Sequence, residues 1–459
     1  MAVRFVIIGG GPAGVSAASW GARLGAEVTV IEREVLGGAA NLWDCIPSKA
    51  MIATGGVMAL GRRSHNMGLH PIDATLDFDA VRSRNAEIEE RLKAQTRGIL
   101  ESQGVSLVEG LARLKGGHEV VVETADGRLV ELDADAVLLS TGSRPRIPDF
   151  CSPDGERILT TRQAYPPPEL PSHLCVVGSG VTGVEFTHMF SSFGCEVTLV
   201  VSRQQVLPSK DAEVAAALEE DFLRRGVHLL KGAKASAISL TTEVEGGDGV
   251  VVDCTDGRKV RSSHVLLCIG SLPNSDGLGF EDAGVEVDAG GYVPINHHCQ
   301  TNLSHVYAAG DLSGKLPLAS VASMQGRKVA EHVMGLHTRE HRHLDYDKAA
   351  SAIFTEPEIA DVGLAEADAF AEGRKVRVTK VPFASTARAL IQGDTRGFVK
   401  IVSDPYTGVV LGGSIVGQSA AELISVIALA VTAGLRVNDI VESLLVHPAL
   451  SEALAEAAE

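Results

Sequence analysis

Two glycine runs in this 459-residue chain have the spacing to cradle a phosphorylated ligand. Gly9-x-Gly11-x-x-Gly14 follows the apolar run Val3 to Ile8 and opens a small-residue helical pattern, Ala13 to Leu24. Gly9 permits a tight turn, Gly11 lets the backbone approach a pyrophosphate, and Gly14 lets helix and strand pack closely. The helix N-terminus then offers N–H groups and partial positive charge to an anion. Glu27 to Glu32 reads as the next strand, and Glu32 stands at its tip, where a carboxylate accepts from ribose hydroxyls. Gly178-x-Gly180-x-x-Gly183 repeats the arrangement between Leu174–Gly178 and the strand Glu196 to Val201. Here the tip is Ser202-Arg203, with no carboxylate. An acid would hold a 2′-hydroxyl and repel a 2′-phosphate, so this tip favours NADPH or mixed use over strict NADH. Arg203 as a merely solvated arginine stays open.

Two strand–helix–strand units, about 170 residues apart, predict two nucleotide-binding sheets. The length suggests about three domains. Prolines crowd residues 145–172, marking one crossover, and Gly270 to Asn274 marks another. From Tyr346 onward, four strand-like runs surround two apolar helical segments, an α+β pattern. Leu423 to Leu435 is apolar nearly all round, as in a core or interface helix. Apolar residues make up 45% and the net charge is −17, which excludes disorder and disfavours nucleic acid and anionic membrane surfaces. No transmembrane span or signal peptide is expected. Seven cysteines without a C-x-x-C fit a reducing cytoplasm.

The segment Gly37-Gly-Ala-Ala-Asn-Leu-Trp-Asp-Cys45-Ile-Pro-Ser-Lys49 carries a resemblance to the flavoprotein disulfide reductases, the family of lipoamide dehydrogenase and glutathione reductase. Ser140 to Pro145 resembles that family's A-T-G turn. Thr301 to Asp311 is similar to its second flavin motif, Phe354 to Gly363 to the start of its dimerisation domain, and His447 to Glu452 to its catalytic His–Glu motif. The resemblance implies an α/β fold: two Rossmann-like dinucleotide-binding domains, for FAD and NAD(P)H, plus a C-terminal α+β dimerisation domain. The expected boundaries are 1–148 and 270–340 for FAD, 149–269 for NADPH or NADH, and 341–459 for the homodimer interface. It implies cofactor contacts at Pro12, Ala13, Gly38, Ala39, Ala112, Thr141, Gly142, Ala319, Val181 and Gly270, beside the two glycine motifs. It makes Asp311 a ribityl ligand, and Lys49 with Glu185 the charged pair beside the flavin.

One departure changes the expected chemistry. The family pattern has two cysteines in the first segment, and here the partner of Cys45 is Ala40. A disulfide needs two sulfurs about 2.05 Å apart, and alanine supplies none. The relay from flavin to disulfide is broken, and lipoamide and glutathione become poor substrates. Reduced flavin passing electrons directly to a diffusible acceptor is left, and quinones are the natural class. The resemblance is closest to members that lack the disulfide and act as NAD(P)H:quinone reductases. Disulfide reduction, pyridine nucleotide transhydrogenation and a non-catalytic flavin-bound redox sensor stay open as alternatives. Cys45 reads either as a thiolate in contact with the flavin or as a relic that packs as a small apolar side chain.

His447 precedes Pro448, where a helix is expected to begin. Glu452 is placed to hold one ring nitrogen and leave the other for proton transfer. In the family this histidine reaches the partner subunit's flavin site. Trp43 reads as a stacking surface for a flat acceptor or as core filler. Arg388, in a loop-like stretch, reads as cleft lining or surface. The pairs His297-His298 and His341-Arg-His343 lack carboxylate or cysteine partners at ligand spacing, so no metal is expected.

Overall fold

Phe5, Val6, Ile7 and Ile8 make up the strand Arg4–Ile8 after its first residue, and all four are buried, as a parallel strand covered on both faces requires. Glu27–Glu32 pairs with it in parallel, and the helix Pro12–Arg23 joins the two. The computed structural model describes residues 2–70, 72, 74–244, 247–336 and 343–459. The chain divides into two compact units. One comprises Met1–Pro47, Ala80–Arg146 and Ser271–Tyr346; the other comprises Ser48–Asp79, Ile147–Gly270 and Asp347–Glu459.

In the first unit, Val306–Ala308, Ala136–Leu139, Arg4–Ile8, Glu27–Glu32 and Ser106–Leu114 lie in that order as a parallel sheet. Two antiparallel strands, Glu119–Thr124 and Leu129–Asp133, extend it. The helix Pro12–Arg23 buries Ala13, Gly14, Ala17, Ala18 and Gly21. That face of small residues admits the helix Ala319–Val333 so closely that a Cβ on Gly326 would lie 2.0 Å from the Ala13 carbonyl oxygen. The core around them holds Phe5, Ile7, Val28 and Leu138.

The second unit holds a five-stranded parallel sheet: His228–Lys231, Glu196–Val201, His173–Val177, His264–Leu267 and Ile158–Thr160. A three-stranded antiparallel sheet adjoins it in sequence (Ala235–Val244, Gly247–Cys254, Lys259–Ser262). The C-terminal part is an antiparallel sheet in the order Ser351–Ile353, Glu358–Gly363, Val410–Gly417, Phe398–Ser403 and Arg377–Pro382. The helix Ala420–Ala433 lays Ile424, Ile427 and Val431 into that core and leaves Leu429 exposed. The α/β class with a C-terminal α+β part agrees with the sequence reading.

Three local differences have physical causes. Ala40–Cys45 is a π-helix that runs into the helix Ile46–Arg63, with the Ile46 amide bonded to the Asn41 carbonyl. Arg388 lies in a short helix, Ala387–Gln392, ended by Gly393 at φ 68°, and not in a loop. The final helix is Glu452–Ala458 and does not begin at Pro448. Glu452 instead draws its carboxylate back onto the Ala449 amide at 2.9 Å and keeps 447–449 as a turn.

Candidate functional site

Each unit carries one glycine motif, and each motif has the same backbone. Gly9 has φ 105° and Gly178 has φ 111°, conformations that side-chain-bearing residues rarely adopt. A Cβ on Gly14 would stand 2.0 Å from the Gly9 carbonyl oxygen, and one on Gly183 would stand 1.8 Å from that of Gly178. These glycines are dictated by the fold itself. The middle glycines differ: a Cβ on Gly180 would meet nothing within 4 Å, and one on Gly11 only an ordinary contact with Gly38 at 3.7 Å. Protein packing does not explain why Gly180 is glycine, whereas close approach of a ligand does. Gly11 and Gly180 are also the N-caps of their helices, and neither offers a side-chain cap. First-turn N–H groups are thus open to an anion in both units. The donor set fits the pyrophosphate of a dinucleotide in each.

In the first unit, the two oxygens of Glu32 accept from the Gly10 amide at 2.7 Å and the Glu34 amide at 2.8 Å. A carboxylate has about four lone-pair sites, so two remain for hydroxyls while the group is held still. Beside it opens a cleft of about 200 Å³, lined by Val30, Leu36, Leu107 and Val108 with Arg33, Lys93 and Arg97 among its charged walls. The sequence reading missed Lys93, Arg97 and Leu107, which come from distant elements and belong to no local motif. Asp311 accepts a 2.5 Å hydrogen bond from Ser143, and the adjacent Gly310 amide donates to the buried Gln325 side chain at 2.7 Å. Thr141 is tied to Asn274 by reciprocal bonds of 2.6 and 2.9 Å. Gly142 has φ 68° with open space beside it, and Gly38 at φ 88° abuts Gly11. Ala112 is buried within its strand, and Ala319 is the first residue of its helix.

The same unit holds Ala40 and Cys45, five residues apart in the π-helix. All seven cysteines are thiols. Six are buried, and burial pushes those of Cys195 and Cys299 up to about 12, so they stay protonated and inert. Cys45 alone is partly exposed. The Trp43 indole donates to Glu89 at 2.7 Å, so its ring orientation is set by the helix Phe78–Ser102.

In the second unit, Lys49 Nζ lies 2.8 Å from Glu185 Oε2. Glu185 is only 5% exposed, and its other oxygen accepts from the Phe354 amide at 3.0 Å. The Phe354 ring centroid is 5.1 Å from Lys49 Nζ. Neither Phe354 contact was legible in the sequence. Ser202 and Arg203 are exposed at the tip of Glu196–Val201, and Arg203 forms no ion pair among the described residues. Val181 starts the motif's helix, and Gly270 has φ 93° with open space beside it. His447 Nδ1 and Glu452 Oε1 are 2.6 Å apart. The Ala449 amide first, and then His447, hold the Glu452 carboxyl below the usual carboxylate range. The His447 side chain is 72% exposed, with exposed Leu444 and Val446 nearby in sequence.

His297, His298, His332 and His343 form a chain of ring contacts with centroids 4.0 to 4.5 Å apart in the first unit. No group of three or more metal-ligating side chains occurs among the described residues. His341 lies outside them. No helix of the described residues is long and apolar enough to cross a membrane.

Residues 3–326 match the pyridine nucleotide-disulphide oxidoreductase family, and residues 349–458 match the dimerisation domain of that family. A relative from Mycobacterium tuberculosis named NAD(P)H dehydrogenase (quinone) is 43% identical, covering 100% of this chain and 94% of its own length. A dihydrolipoyl dehydrogenase from Zymomonas mobilis is 34% identical over 98% of this chain and 96% of its own. The crystal structure of LpdA from Mycobacterium tuberculosis superposes with a TM-score of 0.93 at 41% identity, over 99% of each chain. The flavoprotein disulfide reductase RclA from Escherichia coli, as a Cu(II) complex, gives 0.88 at 25% identity, over 100% of this chain and 99% of its own.

Proposed function

The chain belongs to the pyridine nucleotide-disulphide oxidoreductase family, and within that family we propose that it is an NAD(P)H:quinone oxidoreductase that works without a redox disulfide. As a family member it is an oxidoreductase that uses FAD and NAD(P)H. One observation carries the proposal: Ala40 brings no sulfur to Cys45, while the Lys49–Glu185 pair is intact at 2.8 Å. A reductase of small disulfides needs the sulfur, and hydride transfer to a flavin does not. The name of the 43% relative supports the quinone as acceptor.

When bound, FAD would supply two-electron hydride chemistry between NAD(P)H and the acceptor. Gly9, Gly11 and Gly14, with the uncapped helix behind them, would hold its pyrophosphate, Glu32 its adenosine ribose and Asp311 its ribityl chain. Gly178, Gly180 and Gly183 would do the same for the nicotinamide nucleotide, and the Ser202-Arg203 tip favours NADPH or mixed use over strict NADH. Lys49 provides fixed positive charge where negative charge develops, and Glu185 keeps that ammonium in place. Glu452 holds Nδ1–H of His447, leaving Nε2 to pass a proton to the acceptor. We assign 1–148 and 270–340 to the FAD domain, 149–269 to the NAD(P)H domain and 341–459 to a homodimer interface in a cytoplasmic enzyme. Exposed His447, Leu444 and Val446 suit presentation to a second copy.

The test is NADPH and NADH oxidation with menadione, lipoamide, thio-NAD or no acceptor. Rapid turnover with menadione and negligible turnover with lipoamide is expected. The reverse ratio contradicts the proposal.

A further inference from the structure

We propose that Glu356 is a positioning residue for the Lys49–Glu185 pair, acting through the Phe354 amide. The inference rests on the role given to that pair above. Glu185 is buried to 5% exposure, and a carboxylate so placed is oriented by its partners. Among the described residues it has two: Lys49 at 2.8 Å and the Phe354 N–H at 3.0 Å. Phe354 touches both members of the pair, since its ring stands 5.1 Å from Lys49 Nζ. The position of residue 354 therefore bears on both side chains.

What holds residue 354 is the four-residue turn 354–357 between the antiparallel strands Ser351–Ile353 and Glu358–Gly363. Within the turn, the buried Thr355 hydroxyl donates to the Pro357 carbonyl at 2.7 Å. Glu356 anchors it from outside. Its carboxylate meets Arg396 at 2.7 Å and also pairs with Arg63. The Arg396 fork is itself fixed by Asp394 at 2.5 Å and Asp221 at 2.9 Å. Arg63 is the last residue of the helix Ile46–Arg63, which carries Lys49 near its start, about 21 Å away along the axis. The turn therefore grips that helix at both ends, by Phe354 near Lys49 and by Glu356 at Arg63. A slip of about 1 Å at the Phe354 amide would carry its bond to Glu185 out of range.

Glu356→Gln is the informative variant, because Arg396 keeps Asp394 and Asp221. Three properties of the holoenzyme are read: the acetylation rate of Lys49 by mass spectrometry, the anaerobic rate of flavin reduction at saturating NADPH, and the NADPH dissociation constant. Flavin reduction is expected to slow about tenfold while NADPH affinity stays within about twofold, and Lys49 is expected to acetylate about threefold faster. In a Glu185→Gln background, Glu356→Gln is expected to change flavin reduction by less than about twofold. Equal slowing in both backgrounds, or an unchanged Lys49 acetylation rate, overturns the proposal. If Glu185→Gln alone leaves flavin reduction unaltered, the catalytic reading of the pair fails, and Lys49 acetylation still judges the positioning. Should the glutamine variant not fold, Glu356→Asp, which keeps the charge and shortens the reach, takes its place with the same expectations.

Discussion

The two glycine motifs fold almost alike and end differently. In both, the first glycine turns the chain at φ above 100°, and the third leaves no room for a Cβ against the first one's carbonyl oxygen. At the tip of the following strand the likeness stops. Glu32 is clamped by two backbone amides, whereas Arg203 is exposed and unpaired among the described residues. A fixed carboxylate suits a cofactor that stays bound through turnover. An exposed cation suits a co-substrate that must come and go. The shared backbone supplies generic phosphate affinity, and on the function proposed above the choice of nucleotide falls to the strand tip.

The strongest way to break this comparison is at the glycines. Gly183→Ala is expected to abolish folding of the second unit, because its Cβ would overlap the Gly178 carbonyl. Gly180→Ala, whose Cβ meets nothing, is expected to leave the melting temperature within about 2 °C and to weaken NADPH binding at least about tenfold. Calorimetry and fluorescence titration read both; equal loss of stability in the two variants would mean that Gly180 is structural. Next in size, Arg203→Glu is expected to swing the ratio of kcat/KM for NADPH over NADH by about 100-fold toward NADH, with flavin content unchanged. A ratio that does not move makes Arg203 a solvated bystander. In the first unit, Glu32→Ala leaves the Gly10 and Glu34 amides without their acceptor. It is expected to cost about 1–3 kcal/mol and to lower retained FAD on dialysis, with NADPH affinity preserved.

The smallest expected effect concerns pH. His188 lies on the helix of the second motif, and no histidine lies on that of the first. Burial, reinforced by Arg225, Arg396 and Arg63, holds its pKa well below the ordinary value, and Nδ1 accepts from Arg225 at 2.8 Å. The unfolded chain takes up that proton near pH 6.5 and the folded chain does not. Its contribution to stability is therefore present above about pH 6.5 and declines as pH falls, by at most about 1.4 kcal/mol per unit. Between pH 7.5 and 5.5, hydrogen-exchange protection corrected for the intrinsic exchange rate is expected to fall more in Val181–Phe193 than in Pro12–Arg23. Equal change in both helices would contradict it.

Much of this was legible in the sequence because it is local. Apolar runs ending in glycine gave both nucleotide-binding sheets, and Ala40 declared itself against the family pattern. The contacts that orient Glu185 were not legible. Phe354 lies 169 residues from it in the chain and contributes a backbone amide, which no residue type announces. The Arg396–Asp221 pair spans 175 residues. The turn at 447–449 was misread as a helix start because the proline signal was weighed without the Glu452 carboxylate that folds back on Ala449. Local chemistry names the parts, and long-range hydrogen bonds, which only the tertiary fold creates, set their orientation.

The claim that no sulfur relay operates is tested most directly by anaerobic reductive titration of the holoenzyme. The account predicts that the oxidised flavin absorbance falls from the first addition of dithionite and is exhausted near one two-electron equivalent per subunit. Uptake of about two equivalents, with the first leaving the flavin largely oxidised, would reveal a second electron store beside the ring and contradict it.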